Sequence, residues 1–242
     1  MTTLSKIIVT TLLSFLLFSC NFDMNFGIGV TGNGNVRIQD RALNESFNAI
    51  EASHGLDVFL TQGNDESIVV EADENLLQLI KTEVKNNVLH IYAEKNIGHA
   101  TSKKIMVTFK DISKISSSSG SNVVATNIIT GEYLELNTSS GSDMTLTVNT
   151  TNLNCNTSSG SDLKLSGKTD KLTADASSGS DIKAADLMTQ SSRVSANSGA
   201  DITVNTSKEL TANANSGGDI TYYGNPKTVN KNGGPSGSIN KR

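Results

Sequence analysis

A five-residue unit, Ser-Ser-Gly-Ser-Asp, recurs at nearly constant spacing and restricts the folds that this chain can adopt. The unit is intact at residues 139–143, 158–162 and 177–181, and looser copies lie on both sides. The glycines of the series stand at positions 120, 141, 160, 179, 199, 217 and 237, so the steps are 21, 19, 19, 20, 18 and 20 residues. A period near twenty residues predicts a solenoid, in which each unit buries its apolar face against its neighbours.

Apolar residues recur at fixed offsets from each glycine. Five residues before the glycines stand Ile115, Leu136, Cys155, Ala174, Val194 and Ala212, and three residues after them stand Val123, Met144, Leu163, Ile182, Ile202 and Ile220. A further apolar position follows two residues later, which is the period of a strand. Stacked in parallel about 4.8 Å apart, these positions become apolar ladders. The pattern predicts an all-β, single-stranded parallel β-helix with coils of about 18–21 residues, because leucine-rich repeats need more leucines per unit than this chain has.

Residues 1–20 have the layout of a secretory signal. Lys6 is their only charge, and residues 7–18 form an apolar run that is too short for a permanent membrane helix. The Leu-Phe-Ser-Cys of residues 17–20 resembles the bacterial lipobox, which implies cleavage before Cys20 and lipid attachment to that cysteine. Acyl chains contribute roughly 0.8 kcal/mol per buried methylene, so we expect a membrane anchor at Cys20 without a transmembrane helix.

Charge and cysteine content limit the partners and the chemistry. Without residues 1–20, one lysine is lost and 19 Lys and Arg face 24 Asp and Glu, a net charge of −5. A mildly acidic surface argues against a nucleic acid partner and against a polybasic membrane patch. Cys155 occupies an inward position of the repeat, so we interpret it as a core residue and expect no disulfide.

Residues 21–45 are expected to form a tether that leads into the first strand. They contain Gly27-Ile28-Gly29-Val30-Thr31-Gly32, which has the spacing of the glycine fingerprint of dinucleotide-binding turns. That fingerprint binds pyrophosphate only between a strand and the N-terminus of a helix. The residues that follow, 34–38, look extended. We therefore expect no nucleotide site.

The folded body is expected to begin at residue 46, and residues 46–110 are assigned to its N-terminal coils. Ile50, Val58 and Leu60 stand at the repeat offsets from Gly55, so the first coil has the register of the later ones. Residues 111–224 are assigned to the regular Ser-Gly-Ser-Asp coils. Residues 225–242 are assigned to a terminal partial coil and tail.

A short helix is predicted between the first coil and the regular ones. Asp73 is a suitable N-terminal cap, and one helical face would carry Leu76, Leu77, Ile80 and Val84. Asn86-Asn87 then indicates a turn before an alternating strand, Val88 to Tyr92. We expect this helix to cover the open end of the coil stack, because solenoids need a terminal cap.

A largely acidic column stands two residues after the turn glycines. Its members are Asp57, Asn122, Asp143, Asp162, Asp181, Asp201 and Asp219. At an effective dielectric of 20, stacked neighbours about 5 Å apart would repel by about 3 kcal/mol. The leading interpretation is that each carboxylate accepts hydrogen bonds from its own turn. The column is also a weak candidate for a calcium ladder at Asp143, Asp162, Asp181, Asp201 and Asp219, since calcium prefers many oxygen ligands.

Other chemical signals are weak. His54, His90 and His99 fall in different predicted elements with no pair at metal-ligand spacing, so we interpret them as solvated or packed histidines. Tryptophan is absent, and a small sugar-stacking platform is suggested only by Tyr222 and Tyr223. The sequence therefore indicates no catalytic residues and no cofactor beyond the calcium hypothesis.

Four features taken in order resemble the bacterial auto-transporter adhesins with a head GIN domain, a family common among lipoproteins of the Bacteroidetes. They are residues 47–63, the segment 76–92, the Ser-Gly-Ser-Asp coils, and the closing segment 222–239. The resemblance covers residues 46–240. It implies a β-helical protein of the cell envelope and brings no catalytic residues with it.

Two function classes follow from these observations. The first is a non-enzymatic adhesin or structural module that is exported, anchored through Cys20 in the cell envelope at the outer membrane, and presents polar β faces to a polysaccharide or an envelope protein. The alternative is a carbohydrate-active enzyme, a polysaccharide lyase or hydrolase, that uses the acidic column. Glycosidases need two carboxylates roughly 5 to 9.5 Å apart with different pKa values, and a uniform column supplies the spacing without the difference.

Overall fold

The computed structural model describes residues 29–234 and 236–242, and its strands join into one sheet wound into a solenoid of about seven turns. No helix occurs in the described residues, so none there is long and apolar enough to cross a membrane. The strands are β1 (Val36–Arg41), β2 (Ala49–Ala52), β3 (Asp57–Gln62), β4 (Ser67–Asp73), β5 (Ile80–Lys85), β6 (Val88–Ala93), β7 (Lys103–Phe109), β8 (Lys114–Ser117), β9 (Asn122–Thr138), β10 (Asp143–Thr157), β11 (Asp162–Ser177), β12 (Asp181–Asn197), β13 (Asp201–Asn215), β14 (Asp219–Tyr223), β15 (Thr228–Gly233) and β16 (Ser238–Lys241).

The long strands β9 to β13 stack in parallel with the register that the repeat predicts. Met144 faces Leu163, and Asp143 faces Asp162, between β10 and β11. In the next coil, Leu163 of β11 faces Ile182 of β12 at the same position of the repeat. The all-β solenoid is therefore confirmed. At the far end, β14 pairs with β16 and β13 pairs with β15, so the last residues add a partial coil.

The interior of each coil is narrow and apolar. Leu163, Ile182 and Val204 are at most 1% exposed, and small residues fill the same space at Ala174 and Ala212. Cys155 is 1% exposed, and burial raises the pKa of its thiol far above the ordinary value, so it stays protonated. A protonated, buried thiol is a poor nucleophile, which confirms Cys155 as a core residue.

Each coil turns a corner at the Ser-Gly pair through two left-handed residues. Ser159 and Gly160 have φ of 56° and 67°, and the equivalent pairs in the other regular coils are similar. Crowding does not explain glycine at position 160, since a Cβ there would meet nothing within 4 Å. Glycine is favoured there because an L side chain at this φ is strained. Its N–H donates to the carbonyl of Ser178 in the next coil at 3.2 Å. The turn thereby continues the hydrogen-bond ladder between coils.

In the four coils from Gly120 to Gly179, the serine after the glycine points inward, where hydroxyl groups satisfy one another. Ser161 is fully buried, and its hydroxyl bonds to the Ser158 carbonyl at 2.9 Å and to the Thr138 hydroxyl at 3.0 Å. Thr157 and Ser180 repeat the contact at 2.9 Å one coil further on. A polar side chain inside an apolar solenoid is tolerated because these bonds replace its bonds to water.

The first coil stacks directly on the coil of Gly120, although 65 residues separate the two glycines. Strand β2 pairs on one side with β8 and on the other with β6, and β3 lies likewise between β9 and β7. The inserted segment therefore folds back onto the outer end of the stack. Strands β4 and β1 complete this cap by antiparallel pairing beyond β7.

The predicted cap helix is wrong. Residues 74–79 form turns, and Ile80 begins strand β5, which pairs antiparallel with β6 through Asn86 and Asn87. Both asparagines have positive φ, 52° and 62°, as a two-residue hairpin turn requires. Ile80, Thr82 and Val84 are β-branched and alternate at a period of two, and this strand signal prevails over the helical spacing of Leu76 and Ile80.

Asp73 is a buried acceptor rather than a helix cap. Its carboxylate accepts backbone N–H bonds from Gly34 at 2.5 Å, Thr101 at 2.8 Å and Ser102 at 3.1 Å. Burial alone would raise the pKa of Asp73, but these donors together hold it below the ordinary value. Asp73 thus ties the segment before β1 to the loop before β7.

This contact also explains part of the glycine fingerprint. A Cβ on Gly32 would lie 2.5 Å from the Asp73 carboxyl carbon, and one on Gly29 would lie 2.5 Å from the Gly98 nitrogen. Strand β1, not a helix, comes next in the chain. Gly27 lies outside the described residues. Gly29 and Gly32, the two fingerprint glycines that the structure describes, are therefore explained by the close approach of other groups.

We expect Asp73→Ala to lower the free energy of unfolding by up to about 3 kcal/mol near neutral pH, because it leaves the buried N–H of residue 102 and the part-buried N–H groups of residues 34 and 101 without an acceptor. Since the folded pKa is depressed, this stabilisation is complete above the ordinary value of 3.8 and is lost as pH falls through the folded pKa. Urea unfolding of both proteins at a series of pH values checks this. A difference that stays constant below pH 4 would contradict the role of the ionised carboxylate.

Candidate functional site

The aspartate ladder, Asp143, Asp162, Asp181, Asp201 and Asp219, lies on the outer face that follows each turn. The five residues pair with one another in consecutive coils, and Asp57 and Asn122 continue the column toward the first coil. Asp143, Asp201 and Asp219 are exposed, and Asp162 and Asp181 are half-buried. The predicted column is therefore in register, with a spacing near 4.8 Å.

Lys183 relieves the repulsion at the middle of the ladder. Its ammonium lies 3.0 Å from Asp162 and 3.2 Å from Asp181, and both carboxylates raise the pKa of Lys183. Asp201 is placed differently, since burial, Asp181 and Asp219 raise its pKa more than Lys183 lowers it. At the end of the ladder, Ser238 donates to Asp219 at 2.5 Å.

Among the described residues, the serine hydroxyls of a regular turn bond within the core and not to the aspartate of that same turn, contrary to the expectation that each carboxylate is held by its own turn. The inward hydroxyl of Ser161 bonds within the core, while the backbone N–H of Asp162 donates to the Ser142 carbonyl of the preceding coil at 3.0 Å. Across residues 29–234 and 236–242, no three His, Cys, Asp or Glu side chains are grouped closely enough to hold a metal ion. The calcium hypothesis stays a prediction.

A second surface, the axial groove, runs along the solenoid on the other side of the same turns. Two outward columns line it, and each adds one side chain per coil. One column contains Glu51, Ser116, Asn137, Asn156 and Asp175, and the other contains Ser53, Ser118, Ser139, Ser158 and Ser177. Around Asn137, Asn156 and Asp175 the groove encloses about 320 Å³.

The polar side chains of the axial groove are mostly amides and hydroxyls. Asn156 donates to the Asn137 side chain at 3.0 Å, and Asn137 donates to Glu135 at 2.8 Å. These amides are ordered along the axis and keep further donor and acceptor capacity toward solvent. Burial raises the pKa of Asp175, the acid of this stretch.

The groove opens at the first coil into a deeper space, the ring cleft, of about 410 Å³. The side chains that define it are Glu51, Ser53, His54, Lys85, His90 and Tyr92. They come from β2, the first turn, the hairpin end of β5, and β6. The pairing of β2 with β6 places Glu51 beside His90, and the Ser53 N–H bonds to the carbonyl of Ile91.

Most polar groups of the ring cleft are already paired. His90 Nδ1 lies 3.1 Å from Glu51 Oε2, and His54 Nδ1 lies 2.8 Å from the Ser53 hydroxyl. Lys85 lies 2.6 Å from Glu83, and this contact lowers the pKa of Glu83. The His54 and Tyr92 rings face the same space, with centroids 6.4 Å apart and planes tilted by 52°.

Sequence reasoning missed the ring cleft because its residues are distant in the chain. His54 and His90 are solvent-accessible, as expected, but the fold places them in one cleft, while His99 belongs to the loop against residues 29–32. The predicted Tyr222 and Tyr223 platform is weakened because Tyr222 is 5% exposed. One available signal was His54 itself, which replaces a serine at the turn position of the repeat.

Fold and surfaces together define a β-solenoid protein with two polar outer surfaces, the aspartate ladder and the axial groove, and no catalytic constellation evident in the described residues. Residues 46–226 match the family model described as "Putative auto-transporter adhesin, head GIN domain". The match covers most of the chain, so the protein belongs to this family. No match was found among curated proteins.

Solved structures share the fold. A "putative adhesin" from Bacteroides fragilis has a TM-score of 0.82 and 22% identity, covering 88% of this chain and 100% of that one. A "putative lipid binding protein" from Parabacteroides distasonis has a TM-score of 0.71 and 22% identity, covering 88% and 99%. A "putative adhesin" from Parabacteroides merdae has a TM-score of 0.68 and 18% identity, covering 88% and 98%. At these identities, the likeness supports the fold alone.

We expect the aspartate ladder to be scaffold, because Lys183 already neutralises its middle. Calorimetry of the protein with calcium should give flat heats, and chelator should leave the melting temperature unchanged. Lys183→Met should lower the free energy of unfolding by less than about 1 kcal/mol, since the pair is exposed. A saturable heat, with a melting shift that Asp162→Asn removes, would instead establish a calcium site.

Proposed function

We propose that the protein is a non-enzymatic binding module of the cell envelope that holds a polysaccharide chain in the axial groove. One observation carries the proposal: side chains that are mostly amides and hydroxyls stack along the groove, one per coil in each of its two columns. A polymer with regular units can make a similar contact at successive coils. Family membership supports an adhesive role rather than a catalytic one.

The chemistry of the groove favours a polysaccharide over other polymers. Asparagine and serine side chains donate and accept hydrogen bonds in an uncharged form, which matches sugar hydroxyls. Phosphate backbones require clustered Lys and Arg, whereas this stretch carries the acid Asp175.

An enzymatic function on the aspartate ladder is the second candidate, and one observation favours it. Asp201 has a raised pKa and stands next to Asp181, and a carboxyl group with a raised pKa suits a general acid. The ladder nevertheless lies on an open face, and its members repeat without a break. Release of reducing or unsaturated sugar ends from a polysaccharide panel, abolished by Asp181→Asn, would be needed to sustain this candidate.

The site of action in this proposal is the bacterial envelope, with a lipid anchor at Cys20 in the outer membrane. Cys20 and the signal segment lie outside the described residues, so the proposal rests on the lipobox-like residues 17–20. The body begins at the cap end of the solenoid, since β1 pairs at that edge. An anchor joined there would leave the axial groove accessible along its length.

We expect Asn156→Ala to weaken polysaccharide binding about 3- to 10-fold, the loss of one hydrogen bond worth about 0.5–1.5 kcal/mol. Asn149→Ala is the matched control, because Asn149 is exposed on the same strand β10 but lies on the ladder side of the coil. Affinity electrophoresis through gels containing neutral and acidic polysaccharides measures the effect. Equal losses in both variants, or retention by none of the gels, would count against the groove.

We expect the mature protein to begin at Cys20 and to carry acyl chains. Mass spectrometry of the N-terminal peptide from membranes of expressing cells checks this, with Cys20→Ser as the variant that should be released into the soluble fraction. An unmodified Cys20 in membrane-bound protein would refute the anchor.

A further inference from the structure

Among the turns that the structure describes, the ring cleft is the place where the turn of the solenoid carries a ring. In the regular coils the first left-handed residue of each turn is serine, with φ between 50° and 56°. In the first coil this position is His54, with φ of 64°, followed by Gly55 in the same conformation. Histidine is one of the non-glycine residues found more often in this backbone region. The turn therefore accommodates His54, and its imidazole faces the cleft.

Tyr92 makes a parallel exception in the serine column. The axial groove carries Ser53, Ser118, Ser139, Ser158 and Ser177 in that column, and Tyr92 stands at its cap end, against Ser53. Tyr92 is half-buried, so one part of its ring packs on the cap and the rest faces the cleft. The two exceptions to the polar pattern thus meet at one end of the groove.

The polar groups around these rings are fixed by their partners. Glu51 and His90 hold each other at 3.1 Å, and each keeps unused hydrogen-bonding capacity. Lys85 lies at the rim and is exposed. Ring faces with hydrogen-bonding groups beside them suit a ligand that has an apolar face and a polar edge. A pyranose sugar has this shape.

We propose that the ring cleft is an anchoring subsite for one sugar unit, which packs against the Tyr92 and His54 rings and bonds at its edge to Glu51 and His90. The proposal rests on the proposed function, because the cleft continues into the axial groove through Ser53 and Ser118. The groove then makes repeated contacts with the following units. The cleft supplies the strongest single contact and selects the sugar.

Titration of the ¹⁵N-labelled protein with methyl glycosides of neutral, N-acetylated and uronic acid hexoses tests the subsite. We expect one class to shift the amides of residues 51–54 and 90–92 saturably. Tyr92→Ala should weaken that binding at least tenfold, while Tyr92→Phe should retain it within about twofold. His54→Ser should also weaken it, and serine fits this turn in the other coils. Tyr223→Ala, near the far end of the solenoid, is the control.

The outcomes separate the subsite from the groove. Polysaccharide retention that depends on Asn156 but not on Tyr92 would overturn the subsite and leave the proposed function standing. Glycoside binding in the cleft, together with polysaccharide retention that Asn156→Ala does not change, would support the subsite and overturn the axial groove as the polysaccharide site. Absence of amide shifts with every glycoside, in a wild-type protein that unfolds cooperatively, would overturn the subsite. Thermal unfolding of Tyr92→Ala must match that of Tyr92→Phe for the comparison to count.

Discussion

The hydrogen bond from each turn glycine to the next coil is the interaction on which this structure depends. Gly141 donates to Ser159, and Gly160 donates to Ser178, each through a backbone held in the left-handed region. Without this bond, the corner would leave a gap in the ladder between coils. With it, the corner is as regular as the strands, and every outward side chain acquires a fixed neighbour above and below. The aspartate ladder and the axial groove both owe their order to this bond.

The corners explain why the interior tolerates hydroxyl groups. An apolar side chain beside the turn could not satisfy the Ser158 carbonyl, whereas the Ser161 hydroxyl donates to it at 2.9 Å. A second set of buried hydroxyls lies elsewhere in the coil, where Thr150 donates to Thr169 at 2.9 Å. The Thr150 bond joins neighbouring coils, as does the bond from Ser161 to the Thr138 hydroxyl, so each coil depends on its neighbour for polar satisfaction as well as for apolar contact. Truncation of the stack would therefore expose unsatisfied groups in addition to apolar surface.

The regular coils were predictable because their information is local and repeated. The offsets around Gly141 and Gly160 are enough to assign both the inward residues and the aspartate ladder. The cap was not predictable in the same way, since residues 73–84 satisfy the spacing of a helix and, from Ile80, that of a strand. The strand prevails over the helix because residues 80–85 pair with β6. In addition, the Asp73 carboxylate accepts hydrogen bonds from residues 34, 101 and 102 and so does not cap a helix. The ring cleft was missed for a related reason, because Glu51 meets His90 only after the inserted segment folds back.

A repeat and its exceptions have different uses in recognition. In the proposed function, similar coils present a similar weak contact many times, so affinity along the axial groove would grow with the length of the bound polymer, while each unit would contribute little discrimination. Discrimination needs a place where the pattern is broken and a ligand unit meets groups that occur once. The break at His54 and Tyr92 is of this kind, and it lies at the cap, where strands from distant parts of the chain converge. The inserted segment that closes the solenoid therefore also supplies Lys85, His90 and Tyr92 to the ring cleft, where the proposed subsite lies.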